Sequence, residues 1–343
     1  MQQERKSPWW ITILKLLLPL MIGVAILLYI YKDMEMDRIV DLLLNETNIV
    51  VLCLSFPFVL LANYIRAFRW RLFITPLGYK PSYRLLALSV FGNYGVNLLL
   101  PRLGEVWRSG VVSKYTPMPM SQNLGTLIAD RIYDTITVGL MALLSVAITP
   151  HFYLDLWSNE LHYDPAQLLA SGTLLLYLAG GVAVVALLAW LMRRTAIMQR
   201  VAAFVKGIID GLKSLWAMES RWRMILYTLL IWGLYYCYFY TAFFAFDFSS
   251  SVTPSQALAL FAITSISVIL PVQGAIGPWH YAAIIGMVAL GIGREDAAAF
   301  ALIVHTVQTL FIALVGLLAV LAISLLYSSK QTAEPTAEQN EEV

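Results

Sequence analysis

Long apolar segments constrain this chain more than any other feature of its sequence. Six of them cover residues 9–31, 48–73, 121–149, 168–192, 222–246 and 296–327. Each is close to or above the roughly 20 residues that a helix needs to cross the hydrocarbon core of a bilayer. Only 13% of the residues are charged, about half the share expected of a soluble domain. The sequence therefore predicts an all-α polytopic membrane protein with six full spans in a single membrane domain, residues 1–330.

Two further apolar regions, 85–108 and 254–293, are interrupted by proline and glycine. Pro101 and Pro271 each break an apolar run, and a glycine follows each of them three residues later. Proline removes a backbone donor and glycine permits a tight turn, so both regions are predicted to be re-entrant helical hairpins. Unwound backbone at membrane depth is tolerated only where protein buries it or where it lines a wet cavity. The alternative for the first region is a cytoplasmic loop with solvated charges.

The two interrupted regions lie in similar sequence contexts. The stretch NLLLPRLGE at 97–105 aligns with SVILPVQGA at 267–275, and an apolar span with polar residues follows each. Residues 48–149 and 222–327 are therefore predicted to be repeat units of span, hairpin and span. With a cytoplasmic N-terminus, most of the 23 lysines and arginines fall on the cytoplasmic side, and the hairpins enter from opposite sides. Such inverted repeats are typical of secondary transporters, whose substrate site lies between the halves.

The same charge distribution predicts a protein of the cell (inner) membrane with both termini in the cytoplasm. Residues 196–216 place apolar side chains three or four apart, with Arg200, Lys206 and Lys213 on other faces. This pattern predicts an amphipathic helix on the inner membrane surface or, alternatively, a solvated connector that packs on neighbouring loops. Residues 331–343 are acidic and are predicted to be disordered.

Ionisable residues inside the predicted spans indicate a polar site. Asp130, Arg131 and Asp134 are spaced so that all three can face one interior of the span 121–149. Ionised groups near the midplane cost at least about 2.5–3.5 kcal/mol each unless they are paired or hydrated. Arg131 is predicted to pair with Asp134, and Glu105 or Asp130 could share it. Either these groups form a closed ion-pair network, or Arg131 faces a cavity and holds an anion such as a lipid phosphate.

Other polar residues extend this candidate site into both repeat units. The further candidate substrate contacts are Asn97, Arg102, Glu105 and Arg108 in the first hairpin and His280, His305 and Gln308 in the second unit. Because histidine titrates near neutral pH, the two histidines indicate either a proton-coupled step or hydrogen-bonded packing. Arg66, Arg69 and Trp70 lie at the cytoplasmic end of a span and are interpreted as an interfacial anchor for lipid headgroups.

Several classes of protein find no support in the sequence. It contains no nucleophile elbow, P-loop or zinc motif, and its 4 histidines are too scattered for a metal site. Asp130 or Glu105 could act as a base, but no nucleophile accompanies either of them. The sequence therefore predicts no enzyme, no cofactor and no metal, and its expected partner is membrane lipid rather than nucleic acid.

These motifs resemble the flippase-like family, which comprises the transmembrane region of lysylphosphatidylglycerol synthases and its free-standing relatives. The resemblance covers about residues 10–327 and rests on NYIRAFRWRL at 63–72, the first hairpin motif, ADRIYD at 129–134 and LPVQGAIGPWH at 270–280. This chain departs from the family pattern at Gln273, Ala275 and His280, and it has His305 where relatives often carry arginine. A glutamate–arginine pair would thus be replaced by two histidines.

The resemblance implies passage of an anionic lipid or lipid-linked intermediate across the membrane. It does not imply lysyl transfer, because the chain has no room for the synthase domain and is expected to be a free-standing member. Two hypotheses follow. One is a lipid flippase or transporter that holds the headgroup near the hairpins and Arg131. The other is a scaffold or regulator that does not transport and whose partner is an envelope-lipid enzyme. A cavity that reaches Arg131 favours the first, and a dry, fully paired core favours the second.

Overall fold

The computed structural model describes residues 21–32, 34, 36–99, 103–160, 220–268, 270 and 272–331. These residues form helices, and no strand occurs among them. In chain order the α-helices are α1 (Met21–Tyr31), α2 (Met36–Asp41), α3 (Ile49–Ile74), α4 (Tyr83–Leu99), α5 (Gly104–Lys114), α6 (Met120–Ile148), α7 (Pro150–Asp155), α8 (Arg221–Phe243), α9 (Pro254–Ser267), α10 (Pro278–Ala289) and α11 (Arg294–Gln331). Several predictions lie outside the described residues: the first half of the span 9–31, the span 168–192, the surface helix 196–216, Pro101, Arg102, Pro271 and nearly all of the tail.

Four helical segments in the described part are long and apolar enough to cross a membrane: Ile49–Leu77, Met120–Ile148, Arg221–Phe243 and Arg294–Tyr327. The first of them is α3 extended by the 3₁₀ turn Thr75–Leu77, which ends at Gly78 with a φ of 88°. The four segments coincide with four of the six predicted spans. The described part of the chain is therefore all α-helical, and its long apolar helices indicate an integral membrane protein.

The first interrupted region forms two helices that fold back on each other. α4 has 17 residues and α5 has 11, and both are shorter than the roughly 20 residues of a full span. Gly104 begins α5 against the backbone carbonyl of Asn93, and its N–H donates to Asn97 Oδ1 at 2.9 Å. One turn later, Trp107 contacts Gly92. Because contacts move backward along α4 as the chain advances along α5, the two helices are antiparallel.

The second interrupted region has the same form, with 14 residues in α9 and 12 in α10. The turn between them places Gly274, Ala275 and Gly277 at φ angles of 59°, 56° and 91°. Glycine adopts this left-handed region freely, whereas Ala275 does so at a steric cost. Gly286, late in α10, packs against Leu260 in the first half of α9, so this pair is also antiparallel.

The helices fall into two groups, α3–α6 and α8–α11, which pack across each other. α3 lies along α8, α4 along α11, and α9 along α6. Where α4 meets α11, Gly95 and Gly316 lie backbone to backbone, with no room for a side chain at either position. Small residues permit this close approach between membrane helices. The packing places the polar faces of α3, α5 and α6 in one interior.

The two groups differ in what fills their interiors. The second group contains the larger apolar core, in which the rings of Phe243 and Phe300 are stacked at 4.8 Å and Phe246 packs beside them. The first group has a smaller apolar core and buries several charged side chains. The candidate site therefore starts from the charged interior of the first group.

Candidate functional site

Two arginines of α3 and two aspartates of α6 form a buried group, the arginine–aspartate cluster: Arg66, Arg69, Asp130 and Asp134. Their spacings of three and four residues place each pair on one helix face. Arg66 Nη1 lies 2.5 Å from Asp134 Oδ2 and 3.3 Å from Asp130 Oδ2. Arg69 Nη2 lies 2.6 Å from Asp130 Oδ1 and 2.8 Å from Asp134 Oδ1. Each carboxylate therefore bridges both arginines, and none of the four residues is more than 7% exposed.

This cluster corrects the interpretation of Arg66, Arg69 and Trp70 as an interfacial anchor. All three side chains are buried rather than exposed at a membrane surface, and Trp70 Nε1 donates to Thr126 Oγ1 at 3.0 Å. The protein tolerates the buried arginines because the aspartates neutralise them and accept their hydrogen bonds. The cluster joins α3 to α6.

Neutral side chains connect the cluster to α8. Trp232 Nε1 donates to Asp134 Oδ1 at 3.3 Å. Asn63, one turn before the first arginine of the cluster, accepts hydrogen bonds at Oδ1 from the hydroxyls of Tyr94 at 2.9 Å and Tyr235 at 3.0 Å. The place of Asn63 in this network could be predicted from the sequence, because it lies three residues before Arg66 and so shares a face of α3 with it. Trp232 and Tyr94, in contrast, look like ordinary packing aromatics until the neighbouring helices are known.

Glu105 and Arg131 form a second, more accessible ion pair. Arg131 Nη2 lies 2.9 Å from Glu105 Oε1, and the two side chains are 46% and 47% exposed. The predicted Arg131–Asp134 pair exists only as a longer contact of 3.9 Å, so Glu105 is the closer partner. Both residues line a cavity of about 150 Å³, whose apolar wall includes Leu127 and Ile128. The structure thus provides a cavity that reaches Arg131.

Arg108 of α5 is buried without a neighbouring carboxylate. Its guanidinium lies 3.7 Å from the centre of the Trp70 ring, and the residue is 1% exposed. Within the part of the chain that the structure describes, its Nε and Nη2 make no hydrogen bond and no acidic oxygen lies within 4 Å of it. Stacking on an indole compensates a buried cation only in part. Nearby, Ser109 Oγ and Asn123 Oδ1 are also buried without a partner.

The charges of this region therefore do not cancel. The described side chains comprise four arginines and three carboxylates: Arg66, Arg69, Arg108 and Arg131 with Glu105, Asp130 and Asp134. One positive charge is left over, and Arg108 is the residue that carries it without an acidic neighbour. Asn97, another predicted substrate contact, accepts a hydrogen bond from the backbone N–H of Gly104 at the start of α5.

In the second group, His280 and His305 are adjacent, with ring centres 4.6 Å apart. His305 Nε2 lies 3.0 Å from the Gly274 carbonyl, which can only accept, so Nε2 carries the proton. The N–H of Gly277 donates to His280 Nδ1 at 3.4 Å. Both histidines thereby brace the turn between α9 and α10. Among the described residues, no group of three His, Cys, Asp or Glu side chains is placed to hold a metal ion.

Gln308 lies in a different environment from the histidines and lines a cavity of about 210 Å³, the aromatic cavity. Six of its lining side chains are aromatic: Trp232, Tyr235, Tyr238, Phe239, Phe261 and Trp279. Gln308 Nε2 is buried and has no hydrogen-bond partner among the described residues. Through Trp232 the cavity wall touches the arginine–aspartate cluster, and through Trp279, 5.1 Å from His305, it touches the histidine pair.

The chain matches a known protein family. The family model described as "Lysylphosphatidylglycerol synthase TM region" matches residues 10–316, a range that includes both short helix pairs and every charged residue of the site. Comparison with curated proteins and with solved structures gives no match.

Proposed function

The chain belongs to the lysylphosphatidylglycerol synthase TM region family, and from that premise we propose that it moves an anionic phospholipid or lipid-linked intermediate across the cell membrane. Family membership and the membrane-spanning helices indicate a membrane protein with a lipid-related function. Translocation of a headgroup, rather than catalysis on it, is the proposed activity.

The observation that carries this proposal is the uncompensated charge of Arg108. Arginine presents a planar fork of donors that matches the oxygens of a phosphate, and charge-assisted hydrogen bonds of this kind are among the strongest in proteins. A headgroup phosphate at Arg108 would supply the acceptors that Nε and Nη2 lack. Arg131, the residue first expected to hold the anion, already has Glu105 as a partner.

The Glu105–Arg131 pair lies on the approach to Arg108. Glu105 lies one helical turn before Arg108 on α5 and lines the 150 Å³ cavity, whereas Arg108 is buried and is not among the residues that line it. Because both side chains line the cavity, an incoming phosphate could replace the Glu105 carboxylate as the partner of Arg131 without leaving the arginine unpaired. We therefore assign to this pair the role of an entry contact that opens for the phosphate.

The helix arrangement supports a transporter architecture. The α4–α5 and α9–α10 pairs are too short to span, which fits re-entrant hairpins. By position in their groups, α4 corresponds to α9 and α6 corresponds to α11. The packing of α4 on α11 therefore matches the packing of α9 on α6, as a pseudo-twofold axis between the groups requires. Two inverted units with broken helices around a central site are typical of secondary transporters. We place both termini in the cytoplasm and the chain in the inner membrane.

A second candidate function is a scaffold or regulator of an envelope-lipid enzyme. The fully paired arginine–aspartate cluster favours it, because four buried and mutually neutralised groups are what a purely structural junction between α3 and α6 needs. This candidate gives no role to the unpaired donors of Arg108.

Reconstitution of the full chain into vesicles separates the two candidates. The readout is the leaflet distribution of a fluorescent phosphatidylglycerol, compared with empty vesicles. The test variant is Arg108→Gln. The matched control is Arg71→Gln, because Arg71 also stacks on an aromatic ring, 4.1 Å from the centre of Tyr83, but lies outside the site.

We expect the wild type and Arg71→Gln to move the lipid and Arg108→Gln to do so about tenfold more slowly or worse, since hydrogen bonds to charged groups contribute about 1.5–3 kcal/mol. Equal rates for the two variants would remove Arg108 from the proposal. No movement by the wild type would favour the scaffold.

A further inference from the structure

We propose that the aromatic cavity binds a polyhydroxylated ring, a sugar or cyclic polyol, that forms part of the headgroup of the transported lipid. This inference rests on the proposed function, since it assigns a second subsite beside the phosphate. Two properties of the cavity support it: its walls are aromatic, and one amide donor has no partner among the described residues.

The lining chemistry matches a ring of this kind. A sugar or cyclic polyol has faces of C–H groups and an edge of hydroxyls, so aromatic side chains can cover a face while a polar group binds the edge. Gln308 Nε2 is a buried donor without an acceptor, and a hydroxyl oxygen would provide one. An acyl chain would fill the same space but leave this donor unsatisfied.

The electrostatics of the cavity disfavour a cationic headgroup, although aromatic walls can attract cations. No carboxylate lines the cavity among the described residues, and the polar atom without a partner is a donor. Arg66 lies 5.8 Å from the centre of the Tyr235 ring, and the Asp134 carboxylate that meets Trp232 is already paired with Arg66 and Arg69, so the walls offer no free negative charge. A neutral ring with hydroxyl acceptors fits this environment better than an ammonium group.

Size and position agree with a headgroup fragment. The volume of about 210 Å³ is below the roughly 300–1,000 Å³ of pockets that take drug-sized ligands, so one ring fits and a whole lipid does not. Trp232 both lines the cavity and donates to Asp134, which places the cavity beside the charged region. Val268, 57% exposed at the end of α9, marks the side from which the cavity is reached.

The test measures binding of four probes to the purified full chain in a detergent without a sugar headgroup. Short-chain phosphatidylinositol carries the ring, phosphatidic acid carries only the phosphate, phosphatidylcholine carries a cation, and free inositol carries the ring without a lipid. The test variant is Gln308→Leu. Thr306→Val is the control, because it also replaces a polar by an apolar side chain on α11, at an exposed position outside the cavity lining.

We expect the wild type and Thr306→Val to bind phosphatidylinositol about five- to tenfold more tightly than phosphatidic acid, as one hydrogen bond plus ring packing would give. Gln308→Leu should remove that preference and leave binding of phosphatidic acid unchanged. Thermal unfolding of each variant checks that the fold is intact.

Three results would overturn the proposal: equal binding of the two lipids by the wild type, tighter binding of phosphatidylcholine, or binding of free inositol as tight as that of the inositol lipid. Loss of phosphatidic acid binding in Gln308→Leu would also overturn it, since Gln308 would then act through the fold. If Arg108→Gln keeps both the affinity for phosphatidic acid and the ring preference, the phosphate site of the proposed function fails while the ring subsite stands.

Discussion

The groups α3–α6 and α8–α11 share one order of helices, a long helix, a short antiparallel pair and a second long helix, but their interiors differ in charge. In the first group, arginines and carboxylates face each other across α3, α5 and α6. In the second, the matching interior contains two histidines, a glutamine and aromatic rings. Buried charge requires a nearby opposite charge, and among the described residues only the interior of the first group contains carboxylates. This difference is the reason why we propose an anion site in the first half and a neutral-ring site in the second.

The largest expected effect is the loss of a carboxylate from the charged half. Asp130→Asn should lower the free energy of unfolding by about 3–5 kcal/mol, because Arg66 and Arg69 would lose a shared partner in a buried site. Denaturant unfolding of the purified protein measures it. Asp155→Asn, at an exposed position of α7, should change little. An Asp130→Asn protein as stable as the wild type would show that the cluster is not the junction described above.

The contact between the halves should be the next most sensitive. Gly316→Ala should cost about 1–3 kcal/mol of stability, since its Cβ would collide with the backbone at Gly95 and force α4 from α11. Gly139→Ala serves as the control, because the space around Gly139 is open. If the two variants have the same midpoint of thermal unfolding, the close approach of α4 and α11 does not exist in the protein.

A smaller effect is expected in the neutral half. His305→Leu should cost about 1 kcal/mol, the usual contribution of one hydrogen bond, here to the Gly274 carbonyl. The exposed His151, replaced in the same way, should have no measurable effect on the midpoint of unfolding. A loss as large as that of Asp130→Asn would mean that His305 carries a charge and that the halves do not differ as described.

The smallest effect belongs to the accessible ion pair. A double-mutant cycle with Glu105→Gln and Arg131→Gln should give a coupling energy of about 0.2–1 kcal/mol, because an entry contact must be hydrated and both side chains are nearly half exposed at the cavity. High salt should reduce this coupling further. A coupling energy as large as that of a buried ion pair would rule out the entry role of Glu105 and Arg131.

The long helices were predictable because each of them is a continuous run of mostly apolar residues in the sequence. The predicted span 48–73 corresponds to Ile49–Ile74, and 121–149 corresponds to Met120–Ile148. The breaks at the two proline–glycine motifs also predicted where short helices end and begin. The span 222–246 was predicted slightly too long, because its apolar end leaves α8 after Phe243 and turns toward the 3₁₀ turn Asp247–Ser249.

The partners of charged residues were less predictable. Arg66 and Arg69 end an apolar run, and such a position usually means the membrane interface. Their burial depends on α6 lying alongside α3 with Asp130 and Asp134 at the same height, and a single sequence does not reveal which helices are neighbours. For the same reason Arg131 was given Asp134 as its partner, although Glu105 on α5 lies closer.

Native mass spectrometry of lipid bound to the purified chain tests the central claim most directly, that Arg108 holds the phosphate of an anionic lipid. The wild type and Arg71→Gln should retain a bound anionic phospholipid, and Arg108→Gln should lose it while keeping its fold. Retention of the same lipid at the same occupancy by Arg108→Gln would contradict the account.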